Sequence, residues 1–275
     1  MLRSVKDLRG YKIRATDGRV GKVEDIYFDD HEWMTRYLVV NTGKWLPGRL
    51  VLISPAALGL PDGQKRELEV ALTEKEIENS PPAHLQSRPV SSRQEADLRE
   101  HSGRLEANTT PYPIPVSVAM PVAMGEKIDV EERTKTDVGA QKDVGGEKSD
   151  PNLRSVQEVT GYGVSAVDGE IGHVEDFIVE DESWSLRAFV VNTRNWWPGK
   201  KVLLAPYWLR EVHWDTQTVT VDLTRGEVKN SPEFDPEKPV NREYEARLYD
   251  YYGRPRYWSD NERSAQSTRR EGGGA

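Results

Sequence analysis

The chain has 275 residues, with 38 Lys and Arg against 46 Asp and Glu, a net charge of −8 and no cysteine. The lack of cysteine excludes disulfides, thiolate catalysis and metal sites built on Cys, and the negative charge disfavours a protein that covers nucleic-acid backbone. A mean hydropathy of −0.73, with no apolar run near the ~20 residues of a bilayer-spanning helix, predicts no membrane span. The first residues lack the apolar region of a secretory signal, so we expect a cytoplasmic protein.

Two stretches of the chain are copies of each other. Residues 2–55 align without a gap to residues 153–206, at an offset of 151 and with 26 identities in 54 positions. Such self-similarity indicates one module present twice, and the polar composition between the copies is typical of a disordered linker. We therefore expect a first repeat (1–82), a helical extension (83–103), a disordered linker (104–152), a second repeat (153–233), a helical and aromatic extension (234–258) and a disordered tail (259–275).

Short segments separated by Gly, Pro and Asp predict a small all-β module. Asp17-Gly18 predicts a hairpin turn and Pro47-Gly48 a second tight turn. Capping patterns that begin at Ser4 and Thr73, and again 151 residues later, predict a short helical turn at each end of the module. Strands are expected near 10–15, 20–29, 36–42, 49–54 and 68–72, and at the same positions plus 151.

Several strands are apolar at every position, for example Leu38-Val39-Val40 and Phe189-Val190-Val191. A barrel exposed to water would instead alternate apolar and polar residues. We expect the sister repeat, the C-terminal extension or a second molecule to cover these outer faces.

The stretch 242–252 is predicted to be an amphipathic helix. Its main interpretation is a cover for one barrel wall, and capture of a partner is the alternative. The predicted apolar face consists of Tyr244, Leu248, Tyr251 and Tyr252.

A basic and aromatic loop beside the Pro-Gly turn of each repeat is the best candidate binding site. Trp and Arg are residue types that anchor protein interfaces, and aromatic rings beside cations also stack on bases. The alternative is that the indoles close the end of the barrel and serve stability alone. The candidate partner-binding residues are Lys44, Trp45, Arg49, Trp196, Trp197, Lys200 and Lys201.

Each repeat also carries acidic residues of the kind that bind Ca²⁺ or Mg²⁺. Neighbours on a strand point to opposite faces, and carboxylates near a hairpin end are ordinary turn residues, so we expect no metal and no cofactor. No catalytic motif accompanies them, and we expect no enzymatic activity. The acidic residues are Glu24, Asp25, Asp29, Asp30, Glu175, Asp176, Glu180, Asp181 and Glu182.

The run from Gly21 to Asp29, followed by Arg36 to Val40 and by a Pro-Gly turn into Val51-Leu52-Ile53, resembles the PRC-barrel family. This family includes the cytoplasmic domain of the photosynthetic reaction-centre H subunit and the C-terminal domain of the ribosome-maturation factor RimM. The resemblance covers roughly 2–82 and 153–233. It implies an all-β chain of two tandem small PRC-type β-barrels with short helical caps, joined by a flexible linker.

The resemblance also implies a function. The leading hypothesis is a bacterial, non-catalytic adaptor that binds a protein partner or self-associates through its apolar barrel faces, without DNA and with RNA disfavoured. One alternative is a peripheral component of reaction-centre electron transfer, although the chain has Val39, Val40 and Asn41 where H subunits tend to carry carboxylates. Another alternative is a RimM-like ribosome or RNA maturation factor.

Overall fold

The computed structural model describes residues 1–47, 49–80, 152–193 and 199–258. The predicted extension 83–103, almost all of the predicted linker and the predicted tail 259–275 lie outside the described residues. Strands dominate, as expected for an all-β chain, and the helices are short.

The first half contains all five predicted strands and a further one at its start. Ser4 caps the first helix and Thr73 forms a complete capping box at the second, so the predicted helical turns are present. The elements are β1 (Leu2–Ser4), α1 (Val5–Leu8), β2 (Lys12–Arg14), β3 (Arg19–Asp29), β4 (Met34–Asn41), β5 (Leu50–Ile53), β6 (Glu67–Glu69) and α2 (Glu74–Glu78), with a 3₁₀ turn at Pro55–Ala57.

The second half repeats this order, with Ser155 and Thr224 as the equivalent caps. It adds one strand, β12, and a C-terminal helix, α5. The elements are β7 (Leu153–Ser155), α3 (Val156–Val159), β8 (Gly163–Ala166), β9 (Gly169–Glu180), β10 (Leu186–Asn192), β11 (Lys201–Leu204), β12 (Leu209–His213), β13 (Thr218–Val221), α4 (Arg225–Asn230) and α5 (Arg242–Tyr251), with a 3₁₀ turn at Pro206–Trp208.

The two halves build open sheets, which corrects the expectation of closed barrels. Among the described residues, the strand order is β5-β4-β3-β2-β6 in one sheet and β11-β10-β9-β8-β13-β12 in the other, and the end strands do not meet. The long strand β3 explains the difference. Its first residues pair with β2, but its last residues pair with β7 from the other half. The free edge of β3 is thus occupied by a strand from the sister half.

The two halves exchange their N-terminal strands. Strand β1 pairs with β9 of the second half, with Leu2 opposite Glu180, and β7 pairs with β3 of the first half, with Leu153 opposite Asp29. These two pairings are equivalent at the offset of 151. An isolated bridge also joins Met34 to Ser185, its own equivalent, as residues on a two-fold axis do. The chain is therefore paired with itself about an approximate two-fold axis.

Aromatic side chains from both halves meet in one core. The Trp33 ring stacks on Phe28 with centroids 5.3 Å apart, and lies edge-on to Phe189 of the other half at 5.1 Å. Phe28 in turn lies 5.8 Å from Phe177. Such ring pairs add to the stability gained from burial. The sister half thus covers an apolar face of each sheet, one of the arrangements that the sequence predicted.

Helix α5 covers the second half with most of the predicted face, because Leu248 is buried and Tyr244 and Tyr252 pack, partly buried, against the core. Tyr251, however, is 40% exposed, whereas Tyr249 is 3% exposed. The reason is tertiary: the Tyr249 ring packs 5.2 Å from Trp208. The helix also buries Glu245, whose carboxylate accepts a hydrogen bond from a tyrosine hydroxyl further along the chain.

Gly21 is required by a close backbone approach. A Cβ at this position would lie 2.2 Å from the Asn41 carbonyl oxygen, and the equivalent Cβ at Gly172 would lie 2.0 Å from the Asn192 carbonyl. We expect Gly21→Ala to lower the free energy of unfolding by about 1–3 kcal/mol, because the strands must separate to admit the methyl group. Urea denaturation measures this change.

Gly63→Ala is the matched control for this prediction. Its Cβ would meet nothing closer than a side-chain nitrogen at 3.4 Å, so its effect should stay within about 0.5 kcal/mol. Equal stability of the two variants would contradict the steric explanation.

Candidate functional site

The exchanged strands bring a buried carboxylate of each half against the start of the other half. Asp25 has no exposed surface. Its oxygens accept hydrogen bonds from the Ser155 hydroxyl, from the Gln157 backbone N–H at 3.2 Å and from the Ile26 N–H at 2.8 Å. Two of these three donors therefore come from the second half.

Asp176 makes the same set of bonds in the opposite direction. It accepts hydrogen bonds from the Ser4 hydroxyl, from the Lys6 N–H at 2.9 Å and from the Phe177 N–H at 2.7 Å. Ser4 and Ser155 also cap the helices that follow them, because each hydroxyl accepts the N–H three residues later. One serine in each half thus ends the exchanged strand, starts a helix and holds the carboxylate of the other half.

Burial governs the titration of these two carboxyl groups. It raises the pKa of Asp25 from 3.8 to about 6, because loss of water disfavours the charged form more than the three hydrogen bonds favour it. The pKa of Asp176 is also raised, again chiefly by burial. All three donors around each carboxylate belong to the protein, and two of them in each case join one half to the other.

A pair of arginines strengthens the same junction. The Arg154 Nε lies 2.9 Å from the Asp30 carboxylate, and the equivalent Arg3 Nε lies 2.7 Å from Asp181. All four side chains are at most one-fifth exposed, so solvent screens these ion pairs less than pairs at the surface. The Arg154 guanidinium also lies 4.1 Å from the centre of the Trp214 ring.

The acidic residues singled out in the sequence separate into two roles. Asp29 accepts the N–H groups of His31 and Glu32 and pairs with Arg36 at 3.0 Å, which is the turn chemistry that was predicted. Asp25 and its equivalent instead join the halves. Within the described ranges, no three metal-ligating side chains converge on one point.

The basic residues of the predicted loops are largely engaged within the chain. The Arg49 guanidinium donates to the Ser80 carbonyl at 2.7 Å, and the Lys200 ammonium donates to the equivalent carbonyl of Ser231. Lys201 pairs with Glu175 at 2.7 Å. These three side chains therefore fix the end of each module, whatever else they bind.

The other loop residues are placed differently. Lys44 is exposed and Trp45 is partly buried against the core, so Trp45 has the contacts of a lid and Lys44 is free to meet a partner. Trp196 and Trp197 lie outside the described residues. The structure therefore does not bring all seven predicted residues into one described site.

An open cleft of about 480 Å³ lies beside the second loop. Its lining includes Lys200, Lys201 and Lys238 together with two carboxylates, Glu233 and Asp235. Lys238 pairs with Asp235 at 2.9 Å. The cleft is thus lined by side chains of both charges.

The residues that join the halves were missed in the sequence, although a signal was present. Leu-Arg-Ser-Val begins both repeats, and Val-Glu-Asp recurs at the same offset. The first motif supplies the exchanged strand, its arginine and its serine, and the second supplies the buried carboxylate. Both motifs have the same residues in the two copies, as expected if each copy uses them to contact the other.

The strands and the short capped helices of the first half agree with the mostly β module expected from the resemblance noted in the sequence. Residues 2–75 match the family model of the PRC-barrel domain. The match runs from β1 into α2, so the PRC-barrel domain includes Ser4, Asp25 and the exchanged strand. No curated protein matches the chain. Among the described residues, no helix combines the length and apolar character needed to cross a bilayer.

Asp25 makes stability depend on pH. The pKa of Asp25 is raised from 3.8 to about 6. The protonated carboxyl therefore contributes up to about 3 kcal/mol to the free energy of unfolding below about pH 4, and this contribution is lost as the pH rises through about 6. Asp25→Asn should therefore flatten the pH dependence of the free energy of unfolding over this window. Urea denaturation at several pH values measures the slope.

Asp62→Asn is the control for the pH prediction. Asp62 is only partly buried, and hydrogen bonds with Lys65 lower its pKa, so this variant should not flatten the slope. Indistinguishable slopes for wild type and Asp25→Asn would show that burial of Asp25 does not control the pH dependence.

The serine that reaches across the halves should matter more than an ordinary cap. Ser155→Ala removes the cap of α3 and one donor to Asp25, so we expect the free energy of unfolding to fall by about 2–3 kcal/mol. Ser54→Ala removes only the cap of a 3₁₀ turn and should lower it by about 1 kcal/mol or less. Thermal or urea unfolding compares the two variants, and equal losses would refute the bridging role of Ser155.

Proposed function

We propose that this protein is a non-catalytic adaptor in which two PRC-barrel domains pair within one chain and bind a partner protein. The observation that carries the proposal is the reciprocal junction between the halves. The buried acidic side chains there, which are the residues most suited to acid–base chemistry, each accept two hydrogen bonds from the opposite half. This use of the carboxylates favours binding over catalysis.

Three features support a second PRC-barrel domain in residues 153–233. The two copies share 26 of 54 aligned residues. Their common strands follow the same order, and strand pairs such as Lys12–Lys22 and Gly163–His173 have equivalent register. In the strand exchange, each half also supplies an equivalent strand and an equivalent serine to the other half, as two copies of one domain do.

Self-pairing leaves the surface, rather than the junction, for partners. The exchanged strands and the aromatic core use one apolar face of each half, and α5 covers another in the second half. The loop around Lys44 remains exposed in the PRC-barrel domain. A fold of this kind serves many roles, and the exposed loop is where we place protein binding.

Site-specific photo-cross-linking tests the adaptor role. A photoreactive amino acid at position 44 of the full chain, expressed in its native cells, should form covalent adducts with the same few proteins in repeated experiments. Position 75 is the matched control, because Lys75 is also exposed but lies on α2. Adducts should be absent or much weaker there.

A second variant separates an adaptor from an enzyme. The adducts at position 44 should persist when Asp25→Asn and Asp176→Asn are introduced together, because an adaptor needs no ionised carboxylate. Adducts of equal yield from positions 44 and 75 would contradict a specific binding loop around Lys44. A turnover activity that disappears in the double variant would overturn the non-catalytic proposal.

A further inference from the structure

One face of the first sheet concentrates positive charge. Lys12 and Arg14 project from β2 on either side of the buried Ile13, and both are exposed. On the neighbouring strand, Arg19 and Lys22 are exposed as well. We call Lys12, Arg14, Arg19 and Lys22 the basic face.

The register places these cations directly against one another. Lys12 lies opposite Lys22, and Arg14 lies opposite Arg19. Like charges in opposed positions of an antiparallel pair destabilise the sheet. Among the four, and within the described part of the chain, only Arg19 forms an ion pair, with Glu67 at 3.2 Å, while Glu67 and Glu69 of β6 lie opposite Lys12 and Arg14. The like-charged pairs between β2 and β3 themselves do not stabilise the sheet, and departures of this kind mark functional surfaces.

The second half provides an internal comparison. The four equivalent positions there are Gly163, Ser165, Glu170 and His173, and they have the same register. The same backbone thus carries four Lys or Arg residues in the first half and none in the second. The fold therefore does not require the charge, and the basic face belongs to the first half alone.

We propose that the basic face is a docking surface for an acidic, extended segment of a partner protein. Residues two apart on a strand are separated by about 6.6 Å, so Lys12 and Arg14 match the alternate carboxylates of an extended acidic segment. Glu67 and Glu69 on β6 lie on the other side of β2, so the positive strip is confined to β2 and β3.

The chemistry of the face disfavours other polyanions. Among the described residues, no exposed large apolar or aromatic side chain lies on β2 or β3, so these strands offer neither a ring on which a base would stack nor an apolar side chain that would enter a lipid interface. The net charge of −8 repels a large anionic surface, whereas a short segment responds mainly to charges within about 8 Å.

The proposal rests on the adaptor role only in taking the partner to be a protein. The basic face lies on β2 and β3, and the loop tested by cross-linking follows β4. The two surfaces can therefore be tested separately, and loss of binding at one leaves the result at the other interpretable.

Binding of a dye-labelled peptide of alternating Glu and Ser to the full chain tests the basic face. The variant Lys12→Ser, Arg14→Ser, Lys22→His replaces three cations whose equivalents in the second half, Gly163, Ser165 and His173, are neither Lys nor Arg, and it should weaken binding by about tenfold. Its thermal midpoint should not fall, because the like-charged pairs are removed. This measurement separates lost binding from lost folding.

Two further variants sharpen the test. Lys75→Ser, Arg210→Ser, Lys229→Ser removes the same number of exposed cations elsewhere and should leave peptide binding unchanged. The reverse variant Gly163→Lys, Ser165→Arg, His173→Lys should create a second binding site, visible as a doubled stoichiometry. Unchanged affinity in the first triple variant, or an equal loss in the charge-matched control, would overturn the proposal.

A lipid surface and a single-stranded nucleic acid are tested as alternative ligands in parallel binding measurements. Vesicles that contain phosphatidylserine and a single-stranded oligothymidine should bind the wild type more weakly than the acidic peptide does. Binding of either one that depends on Lys12, Arg14 and Lys22, without binding of the peptide, would overturn the choice of a protein segment. Failure of the peptide to bind, together with persistent adducts at position 44, would refute the basic face and leave the adaptor role standing.

Discussion

The reciprocal exchange of N-terminal strands is the constraint on which this structure depends. Each exchanged strand delivers a serine to a carboxylate that has lost its water, and an arginine to a second carboxylate nearby. A buried charge without such partners would be strongly destabilising. The halves therefore stabilise each other, because Asp25 and Asp176 each depend on donors that only the opposite half supplies.

The same exchange explains why the sheets stay open. A strand from the sister half occupies the end of β3, and the aromatic core forms across the approximate two-fold axis rather than inside each sheet. Most homo-oligomers reach comparable symmetry with separate chains. Here the two copies are covalently linked, so each can acquire a surface that the other lacks.

That freedom is visible in the differences between the copies. In the second half, α5 adds Leu248 and Tyr249 to the core and places aromatic rings around Trp208. In the first half, β2 and β3 carry opposed cations at positions where the second half has Gly163, Ser165, Glu170 and His173. Identical backbone pairing with different surface chemistry is how one fold acquires separate roles.

The sequence by itself determined the repeat, the mostly β architecture, the PRC-barrel resemblance and the capped helical turns, because periodicity and turn residues are local signals. Only the tertiary structure decided that Arg49 and Lys200 hold the carbonyls of Ser80 and Ser231, that Tyr249 rather than Tyr251 is buried, and that Asp25 reaches Ser155. Those partners are separated by up to 130 residues. Local pattern does not encode which distant strand fills an open edge, since that choice depends on the packing of both halves together.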